Sequence, residues 1–275
     1  MEEILQLYRD LGDAEINYLK GALQYLKSVN INEYNLICKI LVSIKESHPE
    51  FIFYLDNIEG NAVFYRNGEI LLDKNISSYS IFFHELGHAM HYFGNGYEIP
   101  KKFESLIASL ESDPKTPSRC ISVIETLQIR KRELSKVIQQ KILENGNMEG
   151  ITQFPEYIEF QLITNLEDII DAFTKGKSHT RGIRYEKDMF TNVEKGPVSS
   201  GHGEDYYSNN DNIFLEIIAN LTSLKCSGLY DKYIAYLEYC FGEEFVEFLE
   251  NYYEKIITDN MPKKVNIENI SKLSF

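Results

Sequence analysis

Ser80-Ile81-Phe82-Phe83-His84-Glu85-Leu86-Gly87-His88-Ala89-Met90-His91 places three of the chain's six histidines within eight residues and contains the pattern HExxH. The step from His84 to His88 is about one helical turn. On a helix both imidazoles therefore leave one face, about 6 Å apart, and can grip a single Zn²⁺ ion. Glu85 then lies beside them, where a carboxylate can take a proton from water held at the ion's open position. At about 100° per residue, Phe82, Phe83, Leu86, Met90 and Phe93 gather on one side of the helix, and His84, His88 and His91 form a stripe on the other. Gly87 costs a helix interior about 1 kcal/mol relative to alanine, and such a residue answers a need for close packing near the metal. A surface helix that merely carries histidines is the alternative reading.

His91 lies about 10.5 Å beyond His84 along the axis, so one ion does not easily reach all three imidazoles. It is expected to support the ligands or line a cleft, or else to be plainly exposed. A catalytic zinc site takes three protein ligands, so a second element must supply another carboxylate or imidazole. The segment Asp211-Asn212-Ile213-Phe214-Leu215-Glu216-Ile217-Ile218-Ala219-Asn220-Leu221 offers Glu216, with Asn220 one turn later, at the edge of an otherwise apolar helical surface. A carboxylate in that setting is expensive to bury without a partner. Glu104, sixteen residues after His88, is the competing candidate. An ordinary helix-edge glutamate is the plain reading of either.

Hydrolysis at such a metal also needs a donor for the developing oxyanion. His202, Tyr206 and Tyr207 form the pool, in the glycine-flanked stretch Gly201-His202-Gly203-Glu204-Asp205-Tyr206-Tyr207, although a chain with 19 tyrosines uses most of them for packing. Upstream, Asn61-Ala62-Val63-Phe64-Tyr65-Arg66 and Glu69-Ile70-Leu71-Leu72-Asp73 flank Asn67-Gly68, a dipeptide that favours a tight hairpin turn. With Phe51-Ile52-Phe53-Tyr54-Leu55 this predicts a sheet of about three strands. Its edge could take an extended peptide as an added strand, or the hairpin could be purely structural.

The loop at 201–207, followed by Glu216-x-x-Ala219-Asn220, resembles the second signature of a group of zincin-like metallopeptidases found in phage and prophage proteins and in lethal-factor-like toxins. There a GH-x-x-x-Y/W-Y/W loop leads into a helix whose E-x-F-A-N/E motif carries the third ligand. Leu166-Glu167-Asp168-Ile169-Ile170-Asp171-Ala172 is similar to a segment that precedes the loop in the phage type. Ile218 departs from the usual aromatic of the motif. The resemblance covers the HExxH helix and about 60 residues near 166–224. It implies a gluzincin-type zinc endopeptidase with His84, His88 and Glu216 as ligands, Glu85 as general base, and Tyr207 or His202 supporting the oxyanion. A zincin-fold interaction protein of phage or toxin origin, catalytically weak or inactive, is the alternative. An aminopeptidase is disfavoured because no acidic GxMEN-like motif precedes His84.

At 275 residues the chain is long enough for a full core. Its 28 basic and 42 acidic residues give a net charge of −14, which argues against phosphate-tracking nucleic-acid binding; a peptide or protein substrate is what the metallopeptidase resemblance implies. The one basic cluster, Arg130-Lys131-Arg132, reads as a solvated helix face. Cys38, Cys120, Cys226 and Cys240 show no paired spacing, so free thiols in a reducing compartment are expected. The acidic start Met1-Glu2-Glu3-Ile4 and the lack of a membrane-length apolar run predict a cytoplasmic protein, with export by a signal-independent route still open.

The fold class expected is α+β, predominantly helical: a zincin-like core with a small three-stranded sheet, an HExxH helix and a large helical insertion. Residues 1–50 read as N-terminal helices, broken near Gly12-Asp13, and 51–98 as the sheet and HExxH helix. Residues 99–200 read as the insertion, including a long charged helix at 118–144 that could protrude, and a mobile, irregular loop from 175. Residues 201–275 hold the third-ligand helix, two further helices and an irregular tail. One elaborated domain accommodates all four segments.

Overall fold

A computed structural model describes residues 1–58, 62–74, 77–145, 153–173, 185–187, 194–197 and 209–261. The chain is predominantly helical, with a small three-stranded mixed sheet. It opens with α1 (Glu2–Leu7), α2 (Asp13–Val29) and α3 (Ile31–Ser47), the break falling where Gly12 precedes α2. In α2, Leu19, Ala22, Leu23 and Leu26 are buried at helical spacing. Asn30 separates α2 from α3 in an extended conformation, and its side chain caps α3 by accepting from the Glu33 amide. His48-Pro49 follows the last turn, where proline cannot continue the hydrogen-bond ladder.

The sheet has the order β1-β3-β2, with β1 (Ile52–Asp56) parallel and β2 (Val63–Tyr65) antiparallel to the central β3 (Glu69–Asp73). The hairpin forms, but its connection is Arg66-Asn67-Gly68 rather than a two-residue Asn-Gly turn. Of the three, only Gly68 is left-handed, at φ 96°, and its amide bonds the Tyr65 carbonyl at 2.9 Å. Asn67 instead uses its side-chain oxygen to accept from the Glu69 amide at 3.2 Å. Three residues with glycine last make the type I turn plus bulge that suits twisted strands.

Helix α4 (Tyr79–Asn95) packs Phe82 and Phe83 into the core, with Phe82 against the rings of Tyr18 and Phe53. It ends at Asn95, with the left-handed Gly96 as its C-cap. The helices α5 (Lys101–Ser112), α6 (Thr116–Asn145) and α7 (Pro155–Phe173) follow. The long charged helix is α6, and along most of its length it lies on the body rather than standing free. Cys120, Val123, Leu127, Lys131, Leu134 and Ile138 form a buried stripe that packs on α7, and Leu143 near its end is exposed.

The basic cluster is a solvated face only in part, since Arg132 is exposed. Lys131 is 3% exposed and pairs with the buried Glu167 at 2.8 Å, while Arg130 grips Glu159 through two bonds of 3.1 and 3.0 Å. Lys232 and Tyr233 complete the Glu159 cluster. Burial works against this carboxylate's charge, but Arg130, Lys232 and Tyr233 outweigh it and hold the pKa down at about 2.

The expected irregular stretch after 175 contains two short strands, β4 (Tyr185–Lys187) and β5 (Glu194–Pro197), paired antiparallel. Then α8 (Asn210–Cys226) runs through the centre of the molecule, flanked by α9 (Tyr230–Phe241) and α10 (Glu243–Asn260). Nearly every residue of α8 from Ile213 onward is buried, which explains its apolar character all round. Most of the tail expected to be irregular lies outside the described residues. The three fully buried thiols, Cys120, Cys226 and Cys240, and the half-buried Cys38 are free. Among the described residues no helix is long and apolar enough to cross a membrane.

Candidate metal centre

Helices α4 and α8 touch at Gly87. A Cβ built there would stand 2.7 Å from the Ala219 Cα and 2.7 Å from the Thr222 hydroxyl oxygen, so only glycine permits this approach. The expectation of close packing at this position is met, and its consequence is local. With the two backbones this near, residues one turn before Ala219 and Asn220 on α8 reach the histidine face of α4.

His84, His88 and Glu216 meet there. One ligand atom from each lies within 4.8 Å of the others, so the three side chains could hold one metal ion. His84 Nε2 is 3.4 Å from Glu216 Oε2, and His88 Nε2 is 3.6 Å from Glu216 Oε1. The imidazole rings stand nearly perpendicular, with centroids 4.9 Å apart. Side-chain exposure is 12% for His84 and 13% for His88 but 3% for Glu216. The cluster is thus reached from the histidine side, with the carboxylate as its floor.

Asn220 sets the orientation of His84. Its side-chain oxygen accepts from Nδ1 at 2.7 Å, which fixes a proton on Nδ1 and turns Nε2 toward Glu216 and His88. The Glu216-to-Asn220 spacing was visible in the sequence, but this role was not, because it depends on which face of α4 lies opposite. Burial pushes the His84 pKa down. Glu216, Glu85 and Asn220 reverse that and raise it to about 9. Glu85 is buried on the same helix, with Oε1 4.0 Å from His84 Nε2.

Two other candidates fall elsewhere. Glu104 is exposed on α5 and does not join the cluster. His91 is fully buried in the contact between α4 and α10, neither lining a cleft nor exposed. Its Nε2 lies 3.2 Å from both the Glu98 carbonyl oxygen and the Tyr252 hydroxyl, and Tyr252 donates to the same carbonyl at 2.5 Å. Burial lowers its pKa to about 4, so His91 is a neutral core residue. His202 and Tyr207 lie outside the described residues.

The sheet edge approaches the same helix. Phe64 of β2, an edge strand, packs on the rings of Tyr92 and Phe93. No protein family, curated protein or solved structure matches this chain.

Proposed function

We propose that this protein is a zinc-dependent endopeptidase built on a zincin-like core. The observation that carries the reading is the meeting of His84, His88 and Glu216 within 4.8 Å. Tetrahedral zinc with bonds of about 2.0–2.1 Å separates its ligands by about 3.4 Å. Each imidazole nitrogen comes close to that spacing from one carboxylate oxygen, His84 from Oε2 at 3.4 Å and His88 from Oε1 at 3.6 Å. Two imidazoles and one carboxylate, reached from one side, form a typical hydrolytic zinc set with a position left for water.

Zinc bound there would polarise the scissile carbonyl and lower the pKa of water to about 7. Glu85 is the group placed to accept the proton of the attacking water and to return it to the leaving amine. Asn220 holds His84 in the tautomer that offers Nε2 to the ion. Glu216, one turn from Asn220, is buried beside both imidazoles, where a bound cation would offset the cost of desolvating its charge. An extended peptide would add to the β2 edge beside α4, with Tyr207 or His202 as the oxyanion donor. The sequence resemblance to zincin-like metallopeptidases of phage and toxin origin supports the same reading.

Metal analysis and peptide cleavage test it together. Wild type and Glu104→Ala should each hold one zinc per chain, and Glu216→Ala should lose it. Glu85→Gln should keep zinc while turnover falls by about two to four orders of magnitude. Retention of zinc by Glu216→Ala, or an undiminished rate in Glu85→Gln, would overturn the assignment. Stoichiometric zinc in a wild type that cleaves no peptide would favour a non-catalytic interaction protein.

A further inference from the structure

Beside the metal cluster, the sheet edge and the end of α4 bring together two residues with no part in the reading above. Tyr97 follows Gly96 and is the sole non-glycine residue with positive φ among those described, at 65°. Gly96 already supplies the left-handed helix cap, so ending α4 does not explain a second left-handed residue with a bulky ring. Such an outlier persists where the surroundings hold the side chain in place, and it marks a candidate functional position.

The Tyr97 ring folds back along α4, 5.3 Å from the His91 ring and 5.2 Å from the Tyr92 ring. Over it lies the Arg66 guanidinium, 5.3 Å from the centroid. Arg66 directly follows the last residue of β2, so a strand added to that edge runs past it. The side chain is exposed, and among the described residues it has no ion pair or hydrogen bond, although the chain carries 42 acidic residues. Stacking on the ring holds the planar guanidinium while leaving its N–H groups open to a ligand.

The electrostatics place this pair near the cluster. Burial raises the Tyr97 phenol well above its ordinary value, Arg66 opposes this, and the carboxylates of Glu85 and Glu216 raise it further. Among these charged groups Arg66 is the cation. With zinc offsetting Glu216 and Glu85, the neighbourhood would favour an anion at the guanidinium.

We propose that Arg66, braced on Tyr97, forms a subsite that selects peptides bearing a carboxylate near the scissile bond, on an acidic side chain or at the chain terminus. This rests on the peptidase reading. A carboxylate accepts two parallel N–H bonds from one guanidinium, and charge-assisted bonds of that kind discriminate strongly against the neutral amide.

The test uses fluorescein-labelled mixed-sequence peptide libraries in matched pairs: Glu against Gln at a fixed central position, and a free C-terminus against its amide. Affinity is read by anisotropy on zinc-loaded Glu85→Gln protein, and cleavage is followed with wild type. At least one carboxylate library should bind about tenfold or more tightly than its neutral counterpart. The Glu/Gln pair and the acid/amide pair tell the two sources apart. Arg66→Ala should bring the ratio close to one, Arg66→Glu should shift preference to a Lys-bearing library, and Tyr97→Leu should lower the ratio by releasing the guanidinium. All three variants should keep their zinc. A ratio near one in the Glu85→Gln protein, or a preference that survives Arg66→Ala, overturns the subsite. Absence of wild-type cleavage with the Arg66-dependent preference intact counts against the hydrolase and for the subsite; cleavage without that preference does the reverse.

Discussion

His84 shows how three neighbours determine a protonation state. Burial alone would keep the ring neutral, yet Glu216, Glu85 and Asn220 raise its pKa to about 9. A raised pKa stabilises the folded chain fully below about 6.5, and that contribution is lost as pH rises through about 9. Metal affinity runs the other way, because a cation entering the site must displace the same proton. Zinc uptake at pH 7 should therefore release close to one proton, measurable by calorimetry in buffers of different ionisation enthalpy. The apparent affinity should climb by up to about tenfold per pH unit until about pH 9. Release of no proton at pH 7 would mean that His84 is already neutral and that Glu216 does not act on it.

Two elements carry the site, and their spacing depends on one missing methyl. Because Gly87 faces backbone as well as side chain, an alanine there cannot be accommodated by a rotamer change. Gly87→Ala should lower the Tm, with a stability loss of about 1–3 kcal/mol, and weaken zinc binding by tenfold or more as α8 moves off α4. Differential scanning calorimetry and a competitive chelator titration would check the two effects separately. Zinc affinity unchanged in a destabilised variant would show that Glu216 is positioned by something other than this contact. The asymmetry between the helices follows from the same packing. α4 keeps one partly accessible stripe, whereas α8 is covered on all sides and its glutamate has nowhere else to go.

Across the whole molecule, α5 to α7 do not behave as an appended module. α7 lies against both α4 and α8, and Gln161 accepts from the Ser78 amide just ahead of the HExxH helix. The α6 and α7 pair is tied by Lys131 and Glu167, two charges with almost no access to water. Removing one partner takes away the opposite charge nearest the other. Lys131→Met alone should cost about 3–5 kcal/mol, whereas Lys131→Met with Glu167→Leu should return close to wild-type stability. Urea unfolding of the three proteins would decide it, and a double variant as unstable as the single one would show that the pair is needed for more than mutual neutralisation.

Short-range pattern was sufficient for much of this protein. One turn between His84 and His88, apolar residues at helical spacing in α2 and α4, the glycines that end α4, and the hairpin before it are all set by residues within a few positions of one another. Such contacts obey fixed periodicities, so they can be read along the chain. What the linear order could not supply was any property that depends on a distant partner. The burial of His91 against Tyr252, the pairing of Lys131 with Glu167, and the seating of Asn220 on His84 each join residues far apart in sequence. Their energies come from desolvation and from the neighbours across a helix interface, and these exist only once α4, α7, α8 and α10 have packed. The convergence of Glu216, rather than Glu104, on the two histidines is of that second kind: α8 lies within a methyl's width of α4, and α5 leaves its glutamate in solvent.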